Sequence, residues 1–223
     1  RFVDLRTGWG VDLAQTLHAL GSWWLLRPLR WATLAVLAVF RRWRHLAVAL
    51  LSLLLLGSVV EVMSTAIARP RPLVPLLAPW EGYAHPSAPV AALAVTFAVM
   101  VLALVPPGRW RRHSYMLAGA GVTALGFARL YLGVDHPTDV LVGAVLGPAV
   151  AVVLFRLLAP ESVFPVTYRR GRAAHLDIGG RRGEAIRQAV RDQLGLEVRH
   201  LEHFGLEASG GSTPLRIQVD GDP

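Results

Sequence analysis

Along this chain, long apolar runs alternate with short basic stretches. Residues 22–40, 46–68, 87–106, 115–133 and 139–158 each hold an almost unbroken apolar series. At 1.5 Å of rise per residue, about 20 residues in a helix cross the ~30 Å hydrocarbon layer of a bilayer. The pattern therefore predicts five spanning helices. Residues 10–20 are apolar at irregular helical spacing, with Val11, Leu13, Leu17 and Leu20, and are too short to span, which places them at the membrane interface.

Composition agrees with that solvent. The chain is 53% hydrophobic and 17% charged, with mean hydropathy +0.44, too apolar for an ordinary soluble domain. Its formal net charge of +8 comes mostly from arginine clusters between apolar runs, the pattern of topology-setting loops and not of a nucleic-acid surface. No cysteine is present, which excludes disulfides, thiolate catalysis and cysteine-ligated metals. The first residue, Arg1, is that expected of an N-terminus either processed or cut from something longer, and the close at Val219-Asp220-Gly221-Asp222-Pro223 has the look of an interruption.

Arg41-Arg42-Trp43-Arg44-His45 and Arg109-Trp110-Arg111-Arg112-His113 join successive spans and fall on one side, the cytoplasm by the positive-inside rule. The loop 69–86 and the turn 134–138 then face outward. After Pro160 the composition turns polar, and residues 161–223 form a separate soluble α/β extension to a membrane domain over 1–160. Its expected elements are a strand Ala173–Ile178, a helix Arg182–Leu194 and strands near Val198–Leu206 and Pro214–Val219. Gly205 to Val219 has the look of a hairpin over a glycine-containing turn.

Three clusters stand at helix ends on the outward side. They are Arg69-Pro70-Arg71-Pro72, His85-Pro86-Ser87-Ala88-Pro89, and the turn from Arg129 to Asp139 with Asp135 and His136. Arginine offers a fixed fork of donors to phosphate oxygens, and a helix beginning at Ser87 offers free N–H groups and a favourable dipole. Together they describe an anion pocket. Each cluster taken singly is also explained by prolines that punctuate helices and by Ser87 acting as an N-cap.

With those residues in view, the chain resembles the type 2 phosphatidic acid phosphatase (PAP2) family over about residues 10–158. Family motifs are a lysine, six residues and Arg-Pro; then Pro-Ser-Gly-His; then Ser-Arg, five residues, His, three residues and Asp. The resemblance implies an all-α helical bundle in the membrane and metal-independent dephosphorylation of lipid phosphates or polyprenyl diphosphates, with no cofactor. In the family the third-motif His becomes phosphorylated, the third-motif Asp orients it, and the second-motif His donates a proton.

Matched residue by residue, Arg71, Pro72, Pro86, Ser87, Arg129 and Asp139 fit the motifs. Ser64 replaces the lysine, Ala88 the glycine, Pro89 the acid histidine, Ala128 the serine and Asp135 the nucleophile, with His136 one place late. The first reading is an impaired pocket for a lipid or polyprenyl phosphate, with Arg69, Arg71, Ser87 and Arg129 as ligands and a binding or sensing role. A second is an active phosphatase with His136 as nucleophile, Asp139 as its orienter and His85 as acid. An aspartyl-phosphate at Asp135 is a variant of the second. A third is a membrane anchor for a cytoplasmic protein. The sequence leaves the oligomeric state open. One further expectation rests on depth: Glu61, Arg27 and Arg30 lie about 8–12 Å below the outer face, so Glu61 should pair with Arg27 or Arg30.

Overall fold

A computed structural model describes residues 6–80, 82–160, 164, 181–203 and 215–219. The chain divides into two compact units, 1–164 and 165–223. In the first unit α1 is Gly8–His18, followed by one tighter turn at Ala19–Gly21; α2 is Trp23–Val39, α3 Trp43–Ile67, α4 Ala88–Leu104, α5 Arg109–Tyr131 and α6 Pro137–Leu158. In the second, α7 is Arg181–Leu194, and the strands β1, Val198–His203, and β2, Leu215–Val219, form an antiparallel pair with His203 opposite Leu215.

Helix α4 is the centre of the bundle. It is apolar all round, and a helix without a polar face belongs in a protein core or a bilayer. Ala91, Val95, Ala98 and Val99 are buried in it, packed among Leu37, Val48, Leu56 and Phe155, and Val90 is packed with Leu26, Leu125 and Val140. Its tightest neighbour is α6. A Cβ at Gly143 would lie 2.7 Å from the Ser87 carbonyl, and one at Gly147 would lie 2.7 Å from the Ala91 carbonyl. This four-residue glycine spacing lets two backbones touch. It also locks together the starts of α4 and α6, where Ser87, His136 and Asp139 stand.

Two helices, Trp43–Ile67 and Pro137–Leu158, are long and apolar enough to cross a membrane. Leu54, Val62, Leu141, Val145 and Val153 are exposed along them, an apolar surface of the kind that lipid covers.

Some expectations need correction. Among the described residues Glu61 makes no ion pair. Arg30 instead donates to the Thr96 hydroxyl at 2.9 Å and the Ala92 carbonyl at 3.1 Å, and Arg27 lies over the Trp23 ring. Shared depth gives no azimuth. The face of α2 bearing Arg30 turns to α4, whereas Glu61 is on the exposed face of α3. Residues 198–203 pair with β2, and the expected hairpin from Gly205 to Val219 lies, up to residue 214, outside the described residues. The expected strand Ala173–Ile178 lies outside the described residues.

Candidate functional site

The three clusters meet at one end of the bundle. The segment 68–87 returns along that end, tied by Ala84 N–H to the Arg69 carbonyl at 2.9 Å and by Leu77 N–H to the Leu132 carbonyl at 3.1 Å. Gly133, at φ +77°, turns the chain between α5 and α6 and so sets down Asp135 just before the helix.

Asp135 is the focus. Its buried carboxylate accepts from Arg71 Nη1 at 2.5 Å, from Ser87 Oγ at 2.5 Å, and from Arg129 through both Nε and Nη2, the latter at 3.1 Å. Arg129 thus grips it with two nitrogens, the geometry in which a guanidinium binds a carboxylate or a phosphate. Arg71 is further fixed by donating to the Val134 carbonyl at 2.8 Å and the Tyr83 carbonyl at 2.9 Å. Burial lowers the Arg71 pKa below the usual arginine value, and the Asp135 charge opposes that shift. Ser87 is the N-cap residue of α4 by position, but its hydroxyl makes no capping bond and goes to Asp135 instead.

Asp139 gathers the remaining groups. Fully buried, it accepts from Arg69 Nη1 at 2.8 Å, His85 Nδ1 at 2.9 Å, His136 Nδ1 at 2.9 Å and the His136 backbone N–H at 3.1 Å. His136 is the N-cap of α6 and Asp139 its third residue, so a reciprocal capping box brings this pair together. Arg69 also donates to Thr138 Oγ1 at 2.6 Å. His136 keeps 28% of its side chain exposed.

All eight candidate residues therefore converge, but on two carboxylates of the chain itself. Arg71, Ser87 and Arg129 are on Asp135; Arg69, His85 and His136 are on Asp139. Among the described residues no group of three or more acids, histidines and cysteines is arranged to hold a metal.

Two residues escaped the sequence reading. His18, at the end of α1, lies 3.3 Å through Nδ1 from Arg129 Nη1. Burial and the Arg129 charge lower its pKa, with Asp135 opposing, and as a neutral ring it accepts from Arg129. Its signal was a single histidine at the end of a short helix that the sequence places at the membrane interface. Arg6 is the other: it lines a cavity of about 180 Å³ together with Pro72, Val74, Gly133, Asp135 and His136. A larger cavity of about 400 Å³ between α1 and α5 is walled by apolar side chains such as Leu13 and Phe127 and lies away from both carboxylates.

No curated protein matches the chain significantly. Among solved structures, a transmembrane PAP2-type phosphatidylglycerolphosphate phosphatase from Bacillus subtilis is 25% identical, over 70% of this chain and 80% of that one, with a TM-score of 0.62. LpxE from Aquifex aeolicus is 24% identical, over 70% of this chain and 90% of that one, with a TM-score of 0.57, a likeness of fold. The family model of the PAP2 superfamily matches residues 45–161, more than half of the chain and the whole of the carboxylate-centred site. By that match and by its helical architecture, the chain is a membrane protein belonging to the PAP2 superfamily.

Proposed function

We propose that this chain binds a lipid or polyprenyl phosphate at its outward face and does not turn it over. The observation that carries the reading is the Asp135 carboxylate on Arg71, Arg129 and Ser87. By resemblance, those three would hold the substrate phosphate, and position 135 would carry the nucleophilic histidine. Here one substitution removes the nucleophile and supplies an internal anion to the same fork. A carboxylate held by two guanidinium groups and a hydroxyl is also a weak nucleophile, which argues against an aspartyl-phosphate. Pro89 has no proton to give the leaving group. An arriving phosphate must share or displace Asp135, and movement of the 133–139 turn, which starts α6, would report its arrival. In this reading residues 161–223 are the soluble extension on the cytoplasmic side.

One observation favours a second reading. His136 is held by Asp139 through Nδ1 at 2.9 Å, the orientation that leaves Nε2 available to attack phosphorus, and His85 shares the same acid. Phosphate release from phosphatidic acid and from undecaprenyl diphosphate by the purified protein separates the two. The proposal expects none above a no-protein control. Turnover that disappears in His136→Ala would establish the second reading instead.

A further inference from the structure

Among the described residues four arginines reach the two carboxylates and the cavity beside them, and three of these face a carboxylate: Arg69 on Asp139, and Arg71 and Arg129 on Asp135. Arg6 does not. Its Nε donates to the Tyr131 carbonyl at 3.0 Å and its Nη1 to the Pro75 carbonyl at 2.9 Å, and among the described residues it has no ion-pair partner. Two carbonyl oxygens fix the guanidinium without cancelling its charge. Four arginines against two carboxylates leave the cluster a formal +2 with its histidines neutral.

Position 133 makes room for this arrangement. A Cβ built there would stand 2.6 Å from Arg6 Nη2 and 2.8 Å from Val74, so any side chain at Gly133 would push against the guanidinium and the cavity wall. The result is a guanidinium held by two carbonyls, without an ion-pair partner among the described residues, on a cavity of about 180 Å³ whose other walls include Asp135 and His136. It lies beside the fork that Asp135 already fills.

We infer that Arg6 is the anion-receiving residue of this protein, and that the cavity it shares with Val74, Gly133 and His136 takes the phosphate group. The inference rests on the phosphate-binding reading given above and names its site. The recognised chemistry is a phosphate oxyanion, either the head of a lipid or the free ion. The guanidinium would be a ligand for it from the start, and Arg71 and Arg129 would join only as Asp135, which also lines the cavity, gives way.

The test is calorimetric titration of the purified full chain in detergent with inorganic phosphate and, separately, with dihexanoyl phosphatidic acid. Wild-type protein that binds neither contradicts the phosphate-binding reading itself. Given wild-type binding, Arg6→Gln keeps a hydrogen-bonding side chain and removes the charge; it should weaken binding about tenfold or more, the loss expected for one hydrogen bond to a charged group. Val74→Phe leaves Arg6 in place and fills the cavity, and should weaken binding by a similar factor with the unfolding temperature maintained. Arg6→Lys should recover part of the loss, since it restores charge without the fork. Unchanged binding in Arg6→Gln or in Val74→Phe overturns the inference while leaving phosphate binding intact. Tighter binding of the lipid than of inorganic phosphate assigns the head group, and equal binding assigns the free ion.

Discussion

At the end of the bundle that carries Arg69 and Arg71, guanidinium groups face carboxylates; at the opposite end the described contacts of Arg42, Arg44 and Arg111 are to helix carbonyls. Arg42 donates to the Ala103 carbonyl at 2.6 Å, Arg111 to the Val105 carbonyl at 2.7 Å, and Arg44 to the Leu158 carbonyl. Those oxygens lie at the last turns of α4 and α6, where a helix has carbonyls without intrahelical partners and a negative dipole end. Arg42 and Arg111 also lie against the Phe164 ring, at 4.7 and 5.1 Å from its centroid. The basic loops thus double as C-caps, with Arg42, Arg44 and Arg111 held on helix-end carbonyls. Where α4 and α6 begin, the same residue type is drawn onto Asp135 and Asp139, the two carboxylates at the proposed phosphate site.

The comparison can be broken by removing one arginine from each end. Arg129→Ala leaves the buried Asp135 carboxylate with a reduced set of donors and should cost about 3–5 kcal/mol of stability, the range for breaking a buried ion pair. Arg129→Ala with Asp135→Ala should recover much of that loss in chemical unfolding in detergent; simple additivity would mean that the pair is not coupled. Arg42→Ala should cost less, about 1–2 kcal/mol, because its Ala103 partner is a helix-end carbonyl and not a buried charge. Equal losses at the two ends would erase the distinction.

A smaller effect sharpens it. His18 has a pKa lowered from the usual 6.5 by burial and by Arg129, so the unfolded chain takes up a proton before the native one does. Stability therefore holds above pH 6.5 and declines as pH falls below it toward the lower native value. The unfolding temperature should drop between pH 7.5 and 5.5, and the drop should be smaller in His18→Gln. An unchanged drop would detach His18 from the Arg129 network.

The helices were legible because apolar runs are bounded by proline, glycine and arginine. The span expected at 46–68 is α3 at Trp43–Ile67, and the one expected at 139–158 is α6 at Pro137–Leu158. The convergence of Arg71, Ser87, Arg129 and Asp139 was legible from motif order and spacing. What occupies the fork was not: it depends on a left-handed Gly133 that sets a short aspartate side chain within reach of two guanidinium groups. The Glu61 pairing failed for a related reason, since hydropathy gives depth and not the rotation of each helix about its axis. Gly143 and Gly147 were visible as letters, but their meaning needs the partner backbone of α4 beside them. Arg6, far from every motif in sequence, reaches the site only through the packing of α1 on α5.

The central claim is that Asp135 occupies the fork and competes with phosphate for it. Titration of dihexanoyl phosphatidic acid into wild-type and Asp135→Asn proteins tests this most directly, because the substitution removes the internal charge while keeping the side chain's size. The account predicts that Asp135→Asn binds at least about tenfold more tightly, a gain of about 1.4 kcal/mol. Equal or weaker binding by Asp135→Asn would show that the carboxylate does not compete with the ligand and would contradict the account.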